Sequence, residues 1–294
     1  MSALELVERI NARRQADVAK QPPTPDPPLF LLDHDGELAF KDDMATMEAA
    51  IFSLSTREDL KVWKWSSVDG KKNVEVAPSV YGRATMHDKD VLIYLTSHLV
   101  AAGKDGKKLS RTVRFTAFNF LQTTNRGTRG DDYTRLRSAL DRLSGTRIKT
   151  DIKAGGHRVT EAFGLIDNWS IVEKSEEESR MVAVEVTLSK WLYSAILEKD
   201  VLTINPKYFR LRKPLERRLY SIARKHVGKQ GKWEIGIKAL REKCGSSVSR
   251  LRQFRGDLQK IIEADNLPDF RLIVSENKVK FYSRDVFQVL SACG

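Results

Sequence analysis

Cysteine is almost absent: Cys244 and Cys293 are the two among 294 residues, too few for a disulfide framework or a metal knuckle. Long apolar runs are missing as well. The longest, Val91 to Ala102, is interrupted by Thr96, Ser97 and His98 and falls short of the roughly 20 residues that cross a bilayer. Glu5, Glu8 and Arg9 break up the first turns, so no export signal is read. The five histidines, His34, His87, His98, His157 and His226, stand isolated. No His-x-His pair offers the metal of a nicking enzyme, and no His-Glu-x-x-His that of a hydrolase. The glycines of Gly103-Lys104-Asp105-Gly106 have the wrong spacing for a phosphate-cradling loop. Asp33-His34-Asp35-Gly36 lacks the distal glutamate of a calcium loop and reads as a turn. Cys244 reads as a small packed residue rather than a nucleophile. These absences point to a reduced, cytoplasmic protein with no membrane span, metal site, cofactor or catalytic residues.

Positive charge is what the chain has in excess. Lys and Arg number 51 against 39 Asp and Glu, a net +12, and a 41% hydrophobic content suits a globular protein. At about 150 residues per domain the length suggests two domains. The charge is also clustered. Residues 1–80 carry −4, 81–168 carry +7, 169–199 carry −2 and 200–294 carry +11. Two basic blocks separated by a mildly acidic stretch suggest two modules that each face a polyanion. The plainer reading is a basic excess that only aids solubility.

Local signals divide the chain further. Residues 1–20 offer a short helix with Leu6, Val7 and Ile10 on one side, too brief to stand alone. Residues 21–30 hold five of the nine prolines and read as a stiff arm or spacer, with a partner-binding motif as the alternative. Folded structure is expected from near Met44. Short strands are expected at Lys61–Ser66 and Asn73–Val76, around Val68-Asp69-Gly70. Asp88 is placed to cap a helix over Lys89–Ala102, stopped by Gly103. A strand at Thr112–Thr116, a short helix at Ala117–Thr123, a break at 125–130 and a second helix from Asp131 to Gly145 follow, with Asp131 and Asp132 at its start. Strands at Thr146–Ile152 and Arg158–Ile166 then form a basic hairpin, which completes the order of a winged helix-turn-helix. After an acidic turn at Glu173–Glu178, a strand at Met181–Leu188 and a helix at Trp191–Leu197, the order returns. Pro214 opens a helix that Gly228 ends. Trp233–Ile235, Ile237–Lys243, a long helix from Val248 to about Ala264, and a hairpin of Phe270–Val274 with Lys278–Tyr282 complete it.

The two long helices share a pattern: TRLRSALDRL at 134–143 matches SRLRQFRGDL at 249–258 in hydroxyl, Arg, Leu, Arg and final Leu. On the first, Leu136, Leu140 and Leu143 form the buried face, Thr134 and Ser138 point away, and Arg135 and Arg137 flank them. On the second, Leu251, Phe254, Leu258 and Ile262 are expected to be buried. Ser249, Gln253 and Lys260 point outward, Arg250 and Arg252 flank them, and Arg255 is assigned a structural ion pair. Arg, Gln, Ser and Thr on the exposed N-terminal half of a helix are the side chains that read base edges in a major groove. The turns before the helices, with Arg129 and Ser246, can meet phosphate. Lys153 and Arg158 on one hairpin, and Lys278 and Lys280 on the other, are the candidate wing contacts. A solvated helix face is the alternative for either helix alone.

The segments FNFLQTTNRGT, YTRLRSALDRLSGTRIKT, FGLIDNWSIV, LSKWLYSAI and PLERRLYSIARKHVGKQGKWEIGIKALREKCGS resemble the plasmid replication initiator protein A family over roughly residues 45–285. The resemblance implies kinship with two-winged-helix initiators that bind iterons, the direct repeats of a plasmid origin. It also implies melting of an adjacent AT-rich stretch, recruitment of the host initiator and replicative helicase, and a monomer that exchanges with a homodimer repressing its own gene.

The expectation is an α+β chain of tandem winged helix-turn-helix domains, 44–200 and 201–294, behind a flexible proline-rich N-terminal arm, 1–43. It would be a non-enzymatic, sequence-specific double-stranded DNA-binding protein that initiates plasmid replication. A dimeric transcriptional repressor reading an inverted repeat is the competing reading. A primase or nickase is disfavoured by the missing metal and nucleotide motifs.

Overall fold

The computed structural model describes residues 30–31, 38–66, 73–154, 157–173 and 181–292. The prolines of the arm, the Asp33–Gly36 turn, the Val68-Asp69-Gly70 turn and residues 174–178 of the acidic stretch lie outside these residues. In chain order the first part contains β1 (Phe30–Leu31), β2 (Lys41–Asp43), α1 (Met44–Glu48), β3 (Trp63–Ser66), β4 (Asn73–Ala77) and α2 (Lys89–Lys104). Next come β5 (Thr112–Thr116), α3 (Ala117–Thr123), α4 (Gly130–Gly145), β6 (Arg147–Ala154), β7 (His157–Gly164), β8 (Ile166–Glu173), β9 (Met181–Leu188) and α5 (Lys190–Leu197). The second part contains β10 (Val201–Thr203), a 3-10 turn (Pro206–Arg210), α6 (Pro214–His226), β11 (Lys232–Gly236), α7 (Ile237–Cys244), α8 (Leu251–Ala264), β12 (Phe270–Ser275), β13 (Lys278–Ser283) and α9 (Arg284–Ala292). Among the described residues no helix is long and apolar enough to cross a membrane.

Periodicity explains most of these elements. The alternation of β5 buries Val113 and Phe115. Thr116 then caps α3 by accepting from the Asn119 N–H at 3.3 Å. Leu136, Leu140 and Leu143 return every three or four residues and are fully buried on α4. Pro214 occupies the first position of α6, where its missing N–H is not needed.

One topology occurs twice. β5 leads into α3 and α4, and the hairpin β8–β9 returns so that β9 lies between β5 and β8. β11 leads into α7 and α8, and β12–β13 returns so that β13 lies between β11 and β12. β1 adds to the first sheet, parallel to β5. The sequence had assigned the first hairpin differently. The strands expected at Thr146–Ile152 and Arg158–Ile166 are β6 and β7, which join β3 and β4 in a separate sheet of order β3-β4-β6-β7. Lys153 and Arg158 are therefore register partners on that second sheet, away from the β5 ladder. The physical reason is pairing choice: β6 bonds to β4 along Val74–Ala77, leaving the edge of β5 free for β9.

Four further expectations are corrected. Order begins before Met44, because Phe40 is buried and β2 pairs with β10. Asp88 does not cap α2 with its side chain, which instead holds Arg142. The second long helix starts at Leu251 rather than Val248, so Ser249 and Arg250 precede it. At its far end Ile261 is the fully buried residue, and Ile262 is half-buried.

Two clusters of buried side chains form the core. One is drawn from residues 51–196, among them Leu92, Phe120, Leu140 and Val186. The other takes Phe254, Leu258 and Phe281 from the second part, together with Phe40, Met47 and Ile93 from the first. The early segment thus packs across the junction. Cys244 lies in this second cluster, where burial pushes its thiol up to about 12.

Candidate nucleic-acid interface

On α4 the buried stripe leaves Thr134, Arg135 and Arg137 exposed and Ser138 half-buried. The start of the helix is fastened by Asp132, whose carboxylate accepts the Arg129 N–H at 3.2 Å while its own N–H donates to the Arg129 carbonyl. Asp132 also pairs with Arg135 at 3.2 Å; the Arg135 side chain is 71% exposed, so the pair restrains it weakly. Thr134 and Ser138 donate to the carbonyls one turn back, Gly130 and Thr134, and each oxygen still has lone pairs free. Arg129 is exposed at the N-cap.

α8 carries Arg252, Gln253 and Lys260 on its exposed side. Lys260 is within 4.0 Å of Asp257. Ser249 and Arg250 sit in the connection before the helix. Arg241 holds that connection by donating to the Ser249 carbonyl at 2.8 Å, and Arg250 serves as N-cap. Ser246 accepts from the Val248 N–H in the same turn. The inward positions of the two helices keep the offset of 115 residues seen in the sequence, Leu136 with Leu251, Ala139 with Phe254 and Leu143 with Leu258, although Leu251, expected to be buried, is half-buried. α4 simply begins about two turns earlier relative to that pattern. Arg255 is half-buried and has no ion pair among the described residues, contrary to the expectation.

The hairpins differ. Lys278 is exposed but engaged by Glu234 at 2.6 Å, and Lys280 is half-buried opposite Glu234 and Ile273. The sequence joining β8 to β9 is rich in glutamate, whereas the strands β12 and β13 carry Arg271, Lys278 and Lys280.

A match to a family description now fits this arrangement. Residues 41–272 match the family described as Replication initiator protein A. The chain belongs to that family. It is 35% identical over 246 residues to a protein of Wigglesworthia glossinidia brevipalpis named "Putative replication protein", covering 83% of this chain and 88% of that one. The fold is similar to domains 2 and 3 of RctB. One RctB structure aligns with TM-score 0.60 and 13% identity, over 82% of this chain and 98% of the other. A second aligns with TM-score 0.58 and 15% identity, over 84% and 99%. At such identity the likeness speaks for the fold alone.

Sequence reasoning missed the residues that fix how this initiator holds its two halves together. Asp90 on α2, fully buried, accepts from Arg126 at 2.8 Å and from Arg217 at 2.5 Å. Arg126 belongs to the turn between α3 and α4, and Arg217 to α6. Arg217 also donates to the Leu211 carbonyl at 2.8 Å and stacks on Tyr208. Asp88 accepts twice from Arg142 of α4, at 2.7 and 2.8 Å. Lys89 and Asp42 pair at 2.6 Å, both buried. Two acidic residues one position apart at the start of a helix, Asp88 and Asp90 on either side of Lys89, were the available signal; their partners lie from 36 to 127 residues away.

Proposed function

We propose that this initiator is a non-catalytic, cytoplasmic protein that binds double-stranded DNA sequence-specifically through two winged helix-turn-helix units, 44–200 and 201–294. The observation that carries the reading is the repeated strand–helix–helix–hairpin topology, in which the second helix of each copy presents arginine on its exposed side, Arg135 and Arg137 on α4 and Arg252 on α8. In each unit the long helix enters a major groove. Arg135, Arg137, Arg252 and Gln253 face base edges, with Thr134 and Ser138 beside them. Arg129, Ser246, Ser249, Arg250 and Lys260 meet the backbone at the flanks. Lys278 and Lys280 form the second wing. Lys153 and Arg158, on the separate β6–β7 hairpin, are further candidate backbone contacts. Two readers in one chain suit directly repeated origin sites. Recruitment of the host initiator and helicase, and a monomer–homodimer exchange, complete the reading.

Footprinting of the purified protein on its own gene and flanking DNA tests this. Protection of several direct repeats spaced by whole helical turns is the expected result, with Arg135→Ala and Arg252→Ala each losing about 1–3 kcal/mol of discrimination between specific and altered sites. Protection of a single inverted repeat would transfer the reading to a dimeric repressor. Absence of specific protection would end it.

A further inference from the structure

Where the two units meet, a cleft of about 480 Å3 opens beside the start of α4. Its walls carry six arginines: Arg57, Arg126, Arg135, Arg142, Arg212 and Arg217. Four have carboxylate partners. Arg142 is paired with Asp88, Arg126 and Arg217 share Asp90, and Arg135 takes Asp132. Arg57 and Arg212 are different. Both are exposed, and neither has a carboxylate partner among the described residues. One belongs to the first unit and the other to the stretch that leads into α6. Ser55, Thr56 and Tyr81 add hydroxyl groups to the same lining. Against the six arginines stand Asp88, Asp132 and the exposed Glu58 of the lining and the buried Asp90, which leaves a surplus of positive charge that calls for an anion.

The position of the cleft selects the anion. Its lining includes Arg135 and Asp132 of α4, so it continues directly from the exposed side of that helix. A small anion would need only part of such an open groove; a phosphodiester chain running past α4 would occupy its length. We propose that this cleft seats the DNA backbone beside the start of α4, with Arg57 and Arg212 as phosphate contacts from the two units. The proposal rests on the reading of the chain as a duplex-DNA binder and adds a sequence-independent clamp to it. Arginine in this role fixes register without reading bases.

The test is duplex binding measured across a range of salt, on a footprinted specific site and on random DNA, for the whole protein and for Arg57→Ala, Arg212→Ala and the double variant. Each single substitution should lower the slope of log affinity against log salt by about 0.9, and affinity at 0.1 M salt by about eightfold, equally on both DNAs. The double variant should lose about twice the slope. Both residues are on the surface, so thermal melting should be unchanged and a folding defect is separable. An unchanged slope with the specific footprint intact would overturn the clamp and leave the DNA-binding reading standing. Loss of all specific protection by the unmodified protein would overturn that reading and the clamp with it. Inorganic phosphate and a mononucleotide are titrated as well. Saturable binding of either that vanishes in the double variant, with an unchanged salt slope on DNA, would assign the cleft to a free anion and overturn the proposal.

Discussion

His87 sits in the turn that enters α2, half-buried, with its carbonyl accepting from Arg126 at 2.5 Å. Burial first, then the nearby Arg217 and Arg126 cations, push its imidazole down to about 4, although Asp90 and Asp88 pull the other way. The unfolded chain takes up this proton near 6.5. Between those values the unfolded state binds more protons than the folded one, so stability is full above 6.5 and falls as the pH drops toward 4. At pH 5 the loss attributable to His87 is about 2 kcal/mol. Asp42 works in the opposite direction: burial raises its carboxyl to about 6 against the pull of Lys89, so protonation of the fold favours it over the same range. Comparison of His87→Gln with the unmodified protein cancels Asp42. Urea unfolding at pH 7 and pH 5 should show a smaller acid loss in the variant, by about that amount. Equal losses in both would mean that His87 titrates normally.

At the scale of elements, helix ends are joined in the same way. Arg218 on α6 is 1% exposed and makes no ion pair among the described residues. Its guanidinium donates to the carbonyls of Met47 and Glu48, each at 2.9 Å, at the end of α1, to that of Lys243 at 2.7 Å, near the end of α7, and more loosely to that of Thr46. Helix C-termini leave carbonyls unsatisfied and carry partial negative charge, so one cation serves two helices. Arg218→Met keeps the stem and removes the donors, and should cost about 3 kcal/mol in urea unfolding, since several carbonyls become orphaned at about 1–3 kcal/mol each. A loss below about 1 kcal/mol would show that water replaces the guanidinium. Arg218 also marks the limit of what the sequence discloses. Thr112–Thr116 and Ala117–Thr123 were readable to the residue because a period and a cap are local properties. The choice of β9 over β6 as the partner of β5 was not, because two basic or alternating hairpins in succession are equivalent until β3 and β4 claim one of them. The start of α8 was misplaced for a related reason. Ser249 and Arg250 fit a first helical turn, but Arg241 binds the Ser249 carbonyl and draws the connection out. The final helix, α9, passed unnoticed; Arg284 anchors it by reaching back to Asp265 and the Leu267 carbonyl.

For the whole molecule the question is whether the two units behave as one body. Ile93 of α2 packs into the second cluster, β2 pairs with β10, and Asp90 ties the α3–α4 turn to α6. Of these, the Asp90 node alone connects the exposed helix of the first unit to the framework of the second through charge. The buried Arg217 and the half-buried Arg126 depend on one carboxylate, and removing the shared partner from such a site costs about 3–5 kcal/mol, because the cations remain without compensation. Asp90→Asn keeps the shape and removes the charge. Native-state hydrogen exchange reads the consequence directly. In the unmodified protein the slowest amides of α4 and α8 should share one opening free energy, that of global unfolding. In Asp90→Asn the two helices should separate, each exchanging through the opening of its own unit, with the gap widening as urea is added. If α4 and α8 stay matched while both lose protection, the junction is held by its apolar packing and Asp90 contributes only stability. A separation would identify Asp90 as the residue that keeps the two helices at a fixed distance and orientation, the property a protein needs to measure the spacing of two sites on one DNA duplex.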